Sequence, residues 1–128
     1  MKKPVLALCC ATMSCAAMAS WVRVAEDPEA IAYYDPASVE HTAHVATLWE
    51  LRDFRRAATS ASDRVFRSAK SQTQYDCAAE RGRVIVQQPF EGQMGEGRAL
   101  DAPRIDGDWE AIDPGSARAA VLAQVCGK

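Results

Sequence analysis

Short runs in which apolar and polar residues alternate fill the middle of the chain, and turn-forming residues separate them about every 8 to 15 positions. This spacing predicts short β-strands joined in an antiparallel meander. The longest run covers residues 45–54. Because every second residue of a strand lies on the same face, one face of this strand is predicted to carry Val45, Thr47, Trp49 and Leu51.

The next two runs, residues 73–78 and 83–88, are predicted to pair as a hairpin. Residues 79–82 would then form the turn, in which Gly82 is expected to take a positive φ. Alternation again assigns residues to a shared face of each strand: Tyr75 with Cys77, and Val84 with Val86.

The last segment changes to a helical period. Asp113 suits the position that caps a helix N-terminus, and Pro114 suits the first helical position. Gly127 is expected to end the helix in a left-handed conformation. The fold class is therefore α+β, a meander of about five or six strands with one C-terminal α-helix packed on it. The apolar stripe of that helix comprises Val121, Leu122, Val125 and Cys126.

An export signal precedes these elements. Two lysines are followed by the apolar residues 5–13, and small residues then lead to Ala19. This layout predicts a secretory signal peptide over residues 1–19, cleaved between Ala19 and Ser20. The 16 residues from 4 to 19 are fewer than the roughly 20 that a membrane-spanning helix needs, so this segment is not expected to remain as a membrane anchor. The processed chain is therefore expected to have no transmembrane segment.

Lipidation at Cys15 is the alternative to this cleavage. A lipoprotein signal needs a small residue just before the modified cysteine, a place that Ser14 occupies here. It usually has a leucine three residues before that cysteine, where this chain has Thr12. Both ways of processing the chain therefore stay open.

Removal of the signal peptide would leave one domain, residues 20–128, of 109 residues. The loss of two lysines changes the formal net charge from −2 to −4. A mildly acidic chain without a basic block has no electrostatic surface for nucleic acid. Some basic residues do cluster, and they are predicted to be solvated, with an acidic partner or a sulfated polysaccharide as the alternative. This basic group comprises Arg52, Arg55, Arg56, Arg64, Arg67 and Lys70.

Of the five cysteines, only Cys77 and Cys126 remain after cleavage. A lone cysteine pair in a small exported domain indicates a disulfide. Cys77 is predicted on a central strand and Cys126 on the last helical turn, so the bond would tie the helix to the sheet.

No catalytic, cofactor-binding or metal-binding residue is predicted, and the chain is expected not to be an enzyme. Glu40, His41 and His44 could bind a metal ion, but they fall between two predicted strands and the other candidate ligands are scattered. A small periplasmic enzyme or metal carrier that uses them is the least favoured hypothesis. The glycines of residues 92–97 match neither a Walker loop nor the dinucleotide-binding pattern, so a glycine-rich bend or a β-bulge is expected there.

The aromatic residues are expected to lie in the core, with an aromatic binding face as the alternative. Tyr33 and Tyr34 are adjacent, so one of them must point away from the core if both lie on a strand. That outward tyrosine is the best single candidate for a ligand contact. The remaining aromatic residues considered are Trp21, Trp49, Trp109 and Tyr75.

A set of segments runs through nearly the whole processed chain: Trp21, YYDPAS at 33–38, LW at 48–49, DF at 53–54, Ser68, Lys70, YDC at 75–77, Arg81, Arg83, GQMGEG at 92–97, Trp109, Ile112, PGS at 114–116 and VC at 125–126. In order and spacing they resemble the surface-adhesin protein E family of exported bacterial proteins. The resemblance implies a curved antiparallel sheet whose C-terminal helix is held by a disulfide between the two matching cysteines.

The resemblance also implies an envelope location and a binding function, because named members of the family are adhesins that bind host extracellular-matrix proteins. The chain is therefore expected in the periplasm or on the outer cell surface, with a host matrix protein or another envelope protein as partner. A periplasmic envelope accessory protein without host contact is the alternative. An exposed edge strand would also allow two chains to pair as a homodimer.

Overall fold

The computed structural model describes residues 20–100, 105 and 107–127. The predicted signal peptide, residues 1–19, lies outside the described residues. Cleavage between Ala19 and Ser20 and lipidation at Cys15 therefore stay predictions. No helix in the described part of the chain is long and apolar enough to cross a membrane.

Within these residues, seven antiparallel strands form one sheet. The strands lie in the order β1, β2, β4, β5, β6, β7, and β3 pairs separately with β4. The predicted number of strands was too low because β3 and β7 have only three and two residues, too few to show alternation. The strands are β1 (Val22–Glu26), β2 (Ala30–Tyr34), β3 (Glu40–Thr42), β4 (Val45–Thr59), β5 (Val65–Asp76), β6 (Arg81–Phe90) and β7 (Glu110–Ala111).

The long hairpin of β4 and β5 defines the two faces of the sheet. Ala46 pairs with Tyr75 and Leu48 pairs with Thr73, and these four residues lie on the side that the helix covers, here called the helix face. The other side is called the open face. As the alternation predicted, the open face carries Val45, Thr47, Trp49 and Leu51.

The turn between β5 and β6 differs from the prediction. It consists of residues 77–80 instead of 79–82, and Glu80 has the positive φ, 55°. Gly82 lies within β6 and pairs with Tyr75. A Cβ on Gly82 would lie 3.5 Å from the tyrosine ring, an ordinary van der Waals distance, so neither the space nor the backbone requires glycine here.

Three other residues of this hairpin lie elsewhere than predicted. Val84 and Val86 pair with adjacent residues of β5, so a shift in register turns them to opposite faces of the sheet. Cys77 is the first residue of the turn and not part of the strand. Its N–H nevertheless donates a hydrogen bond to the His44 carbonyl (2.7 Å), which holds it in line with the sheet.

The helix α1 (Ala117–Cys126) begins later than predicted. Its N-cap is Ser116 and not Asp113, because the Ser116 hydroxyl accepts a hydrogen bond from a backbone N–H of the first turn (3.1 Å). Gly115 has a φ of 78°, which is not helical, so the helix cannot start before it. Gly127 ends the helix with a φ of 67°, as the sequence predicted.

The core lies between α1 and the helix face of the sheet. Cys77 and Cys126 pack against it and are joined by the predicted disulfide, which closes a separation of 49 residues. The observed fold is therefore an antiparallel meander with one helix tied across it. The buried members of this core cluster are Ala46, Leu48, Tyr75, Val121, Leu122 and Val125, and the buried hydrophobic residues outside it are Ala30, Leu51, Ala69, Phe90 and Leu100.

Candidate binding site

The aromatic shelf is a shallow depression of about 290 Å³ on the open face. Lys70 joins two of its rings, with Nζ 4.9 Å from the centre of the Phe90 ring and 5.8 Å from the centre of the Trp21 ring. An ammonium group at these distances is attracted to the faces of aromatic rings. The aromatic shelf consists of Trp21, Asp35, Trp49, Lys70, Gln88 and Phe90.

The glycine loop, residues 92–97, folds back onto the sheet beside Lys70. The Gly95 N–H donates a hydrogen bond to Ser68 Oγ (2.8 Å), and this hydroxyl donates to the Gly92 carbonyl (2.6 Å). Gly95 has a φ of 71°, a conformation that favours glycine, and a Cβ there would displace the end of the Lys70 side chain. The loop is the expected bend, and it restricts the position of the shelf lysine.

A second cation–aromatic pair lies on the open face outside the shelf. The Arg83 guanidinium is 4.6 Å from the centre of the Trp109 ring. Arg83 Nε donates to the Gln74 side chain (2.8 Å), which in turn donates to Thr47 Oγ1 (3.2 Å). This chain of hydrogen bonds fixes the arginine across three strands.

The tryptophans do not fill the core as expected. All three are partly exposed, and the core cluster of the described residues contains none of them. Trp49 follows Leu48 on β4, so it must point to the opposite face once Leu48 points to the helix. Tyr75 does lie in the core, with no exposed surface, and Tyr34 packs against it. Tyr33 is therefore the tyrosine that points the other way.

An acidic side chain, Glu50, lies on the helix face two residues after Leu48. Its Oε1 accepts a hydrogen bond from the Tyr75 hydroxyl (2.7 Å). Burial raises the pKa of Glu50, and the nearby Thr73 and Tyr75 hydroxyls and two arginines counteract this only in part. Burial and the adjacent carboxylate also raise the pKa of Tyr75, which keeps its hydroxyl protonated as a donor.

We expect Glu50→Gln to remove a pH-dependent loss of stability. With a raised pKa, the folded state holds more protons than the unfolded state, so stability falls as pH rises from about 4.5 through the folded-state pKa. Each unit of pKa difference corresponds to about 1.4 kcal/mol. Urea unfolding would measure this effect from about pH 4.5 upward. The free energy of unfolding of the variant minus that of the wild type should increase with pH until the folded-state pKa of Glu50 is passed, and should stay constant above it.

Asp27 and Asp76 produce the opposite trend at lower pH. Backbone hydrogen bonds lower the pKa of both, so their contribution is present above about 3.8 and is lost as pH falls through their folded-state values. The wild type and Glu50→Gln both carry these two aspartates, so their effect cancels in the difference between the two curves of free energy of unfolding against pH. Parallel curves across the whole range would contradict the assignment to Glu50.

The other charged candidates are dispersed. His41 and His44 are exposed, and no three His, Cys, Asp or Glu side chains in the described residues could hold a metal ion together. Arg52 forms an ion pair with Asp27 at 3.0 Å, and Arg55 forms one with Glu26 at 2.6 Å. Lys70 belongs to the aromatic shelf. The exposed members of the basic group without an ion pair to a described residue are Arg56, Arg64 and Arg67.

The sequence profile of the surface-adhesin protein E family matches residues 21–127. The chain belongs to this family. Its members are surface adhesins, a non-enzymatic class of exported protein, which makes this chain surface adhesin-like. No curated protein matches the chain by sequence.

Solved structures of Haemophilus influenzae protein E share the fold of this family member. One has a TM-score of 0.67 and aligns with 84% of this chain and 83% of that chain, and crystal form II has a TM-score of 0.69 with coverages of 84% and 87%. A structure from non-typeable Haemophilus influenzae has a TM-score of 0.65, with coverages of 84% and 75%. All three are 12% identical to this chain, so the likeness concerns the fold alone.

Proposed function

We propose that this protein is an exported, non-enzymatic binding domain that attaches to a host extracellular-matrix protein through the aromatic shelf. The observation that carries the proposal is the shelf itself, which presents partly exposed Trp21 and Trp49 beside Lys70 in a chain of an adhesin family. Aromatic residues are enriched at protein interfaces and often contribute most of the binding energy. Asp35 and Gln88 would supply polar contacts around them.

The acting unit in this proposal is residues 20–128, released by cleavage between Ala19 and Ser20. Lipidation at Cys15 would instead anchor the chain in a membrane. The N-terminal sequence of the exported protein distinguishes the two, because a chain that starts at Ser20 cannot carry the lipid. Pairing of two chains through an edge strand into a homodimer stays a prediction.

We expect the exported protein to bind at least one of immobilised collagen, fibronectin and laminin, and Trp21→Ala or Trp49→Ala to weaken that binding by about tenfold or more. Biolayer interferometry would measure the dissociation constants. Trp109→Ala is the matched control, because this tryptophan lies outside the shelf beside Arg83. Thermal unfolding of each variant would verify that it is folded. Equal weakening by all three substitutions would contradict the shelf as the binding site.

A periplasmic accessory protein without host contact is the second candidate, and the absence of leucine three residues before Cys15 favours it. Cell fractionation with protease treatment of intact cells separates the two candidates. Digestion of the protein on intact cells supports the adhesin. Full protection until the outer membrane is opened would overturn it.

A further inference from the structure

A cavity of about 200 Å³ lies between the first turn of α1 and the helix face of the sheet. It is separate from the aromatic shelf, which lies on the opposite face. Its polar lining includes Glu50, Thr73 and Ser71 from the sheet, and its apolar lining includes Ala32, Val84 and Val121. The remaining lining residues are Tyr33, Leu51, Arg52, Gln87, Ala117 and Arg118.

Two oxygen atoms that line this cavity accept no hydrogen bond from the described residues: Thr73 Oγ1 and the second carboxylate oxygen of Glu50. Thr73 is fully buried, yet its Oγ1 has no hydrogen-bond partner in the described part of the chain. One oxygen of Glu50 accepts a hydrogen bond from the Tyr75 hydroxyl, and the Thr73 hydroxyl lies close enough to lower the pKa of Glu50 without forming a hydrogen bond of normal geometry. An unsatisfied buried polar group costs free energy, and native proteins usually satisfy such groups with a protein group, a water or a ligand.

The positive charges near the cavity are already engaged. Arg118 pairs with Glu110 at 3.2 Å, and Arg52 pairs with Asp27 at 3.0 Å. No ion pair between described residues involves Glu50. Both arginines lower the pKa of Glu50, but neither forms an ion pair with it, so a positive group that enters the cavity would stabilise the carboxylate further.

We propose that this cavity binds a small primary ammonium ion with a short alkyl chain, whose nitrogen contacts Glu50 and Thr73. An ammonium group has three donors and no acceptor, which suits a carboxylate oxygen and a hydroxyl oxygen that both lack donors. Its alkyl chain would contact Val84 and Val121. Because a water occupies about 30 Å³, the cavity accommodates a guest of about five to seven non-hydrogen atoms.

The test compares three probes of equal chain length: n-butylammonium, n-butanol and butyrate. Each is titrated by calorimetry into the oxidised protein purified after export, at a mildly alkaline pH where butylamine stays protonated. We expect butylammonium to bind, and butanol and butyrate to bind at least about tenfold more weakly. Hydrogen bonds to a charged group are stronger than those between neutral groups, and butyrate has the same charge as Glu50. Preferential binding of butyrate would overturn the proposal, since it would assign the cavity to the arginines.

Variants locate the site. Glu50→Gln keeps the shape of the side chain and removes its charge, and Thr73→Val replaces the hydroxyl with a methyl group. We expect Glu50→Gln to weaken butylammonium binding by about tenfold or more and Thr73→Val to weaken it several-fold. Glu29→Gln is the matched control, because Glu29 is exposed outside the cavity. Unchanged binding in Glu50→Gln would place the ammonium away from this carboxylate, and no binding to the wild type would mean that the cavity holds only water. Either result would overturn the proposal.

Discussion

Replacement of both Cys77 and Cys126 with alanine should lower the free energy of unfolding by about 4 kcal/mol. The disulfide closes a separation of 49 residues, and in the chain-entropy model a loop of this size restricts the unfolded state by about that amount. Many domains of this size have a net stability of only about 5 to 15 kcal/mol, so the loss is a large fraction of the total. The folded state would also lose the covalent tie between the sheet and the end of α1.

Urea unfolding of the wild type and the double variant would measure this effect. Wild-type protein treated with dithiothreitol is the matched control, because reduction breaks the sulfur–sulfur bond and leaves every heavy atom of the two side chains in place. The reduced wild type and the double variant should unfold at similar urea concentrations, and the variant should not respond to the reductant. A loss of less than about 1 kcal/mol in both would contradict the stabilising role.

Leu48→Ala should lower the free energy of unfolding by about 3 kcal/mol. Leu48 is 1% exposed and lies in the core cluster opposite α1. Truncation of a buried leucine removes transfer free energy and leaves a cavity that the surrounding residues fill only in part, at a cost of about 2 to 5 kcal/mol. The helix that would have to move into the space is held at its end by Cys126, which limits such relaxation.

The control for this variant lies on the same hairpin. Val65 is 57% exposed, so Val65→Ala should change the free energy of unfolding by no more than about 0.5 kcal/mol. Both variants would be unfolded in urea under oxidising conditions. Similar losses in the two would mean that the helix face around Leu48 is not the principal core.

The fold class and the disulfide follow from local patterns in the sequence. Strand alternation needs only neighbouring residues, as in the run that begins at Val45. The disulfide needs only the count of cysteines that remain after cleavage. The prediction of Asp113 as the N-cap was wrong for a local reason. Gly115 adopts a positive φ, and the sequence alone does not show which of its allowed conformations a glycine takes.

The sequence pattern contained a signal for Glu50 that alternation on β4 could have revealed. Ala46, Leu48 and Glu50 occupy the same face, so an acidic residue follows two residues that the structure places in the core. The alternate set that starts at Val45 contains Trp49, and the aromatic residues are expected from the sequence to lie in the core. Periodicity defines two faces but does not say which of them a helix will cover.

The amino-acid sequence by itself determined the antiparallel strands, the C-terminal helix, the cysteine pair and the family resemblance. Each depends on residue order, periodicity or a count. Only the tertiary structure decided which face became the core and which residues formed the two sites. The shelf brings Trp21, Trp49 and Phe90 together from the residue before β1, from β4 and from β6. Such contacts depend on strand register and on how the helix docks, and both are fixed by packing between residues distant in sequence.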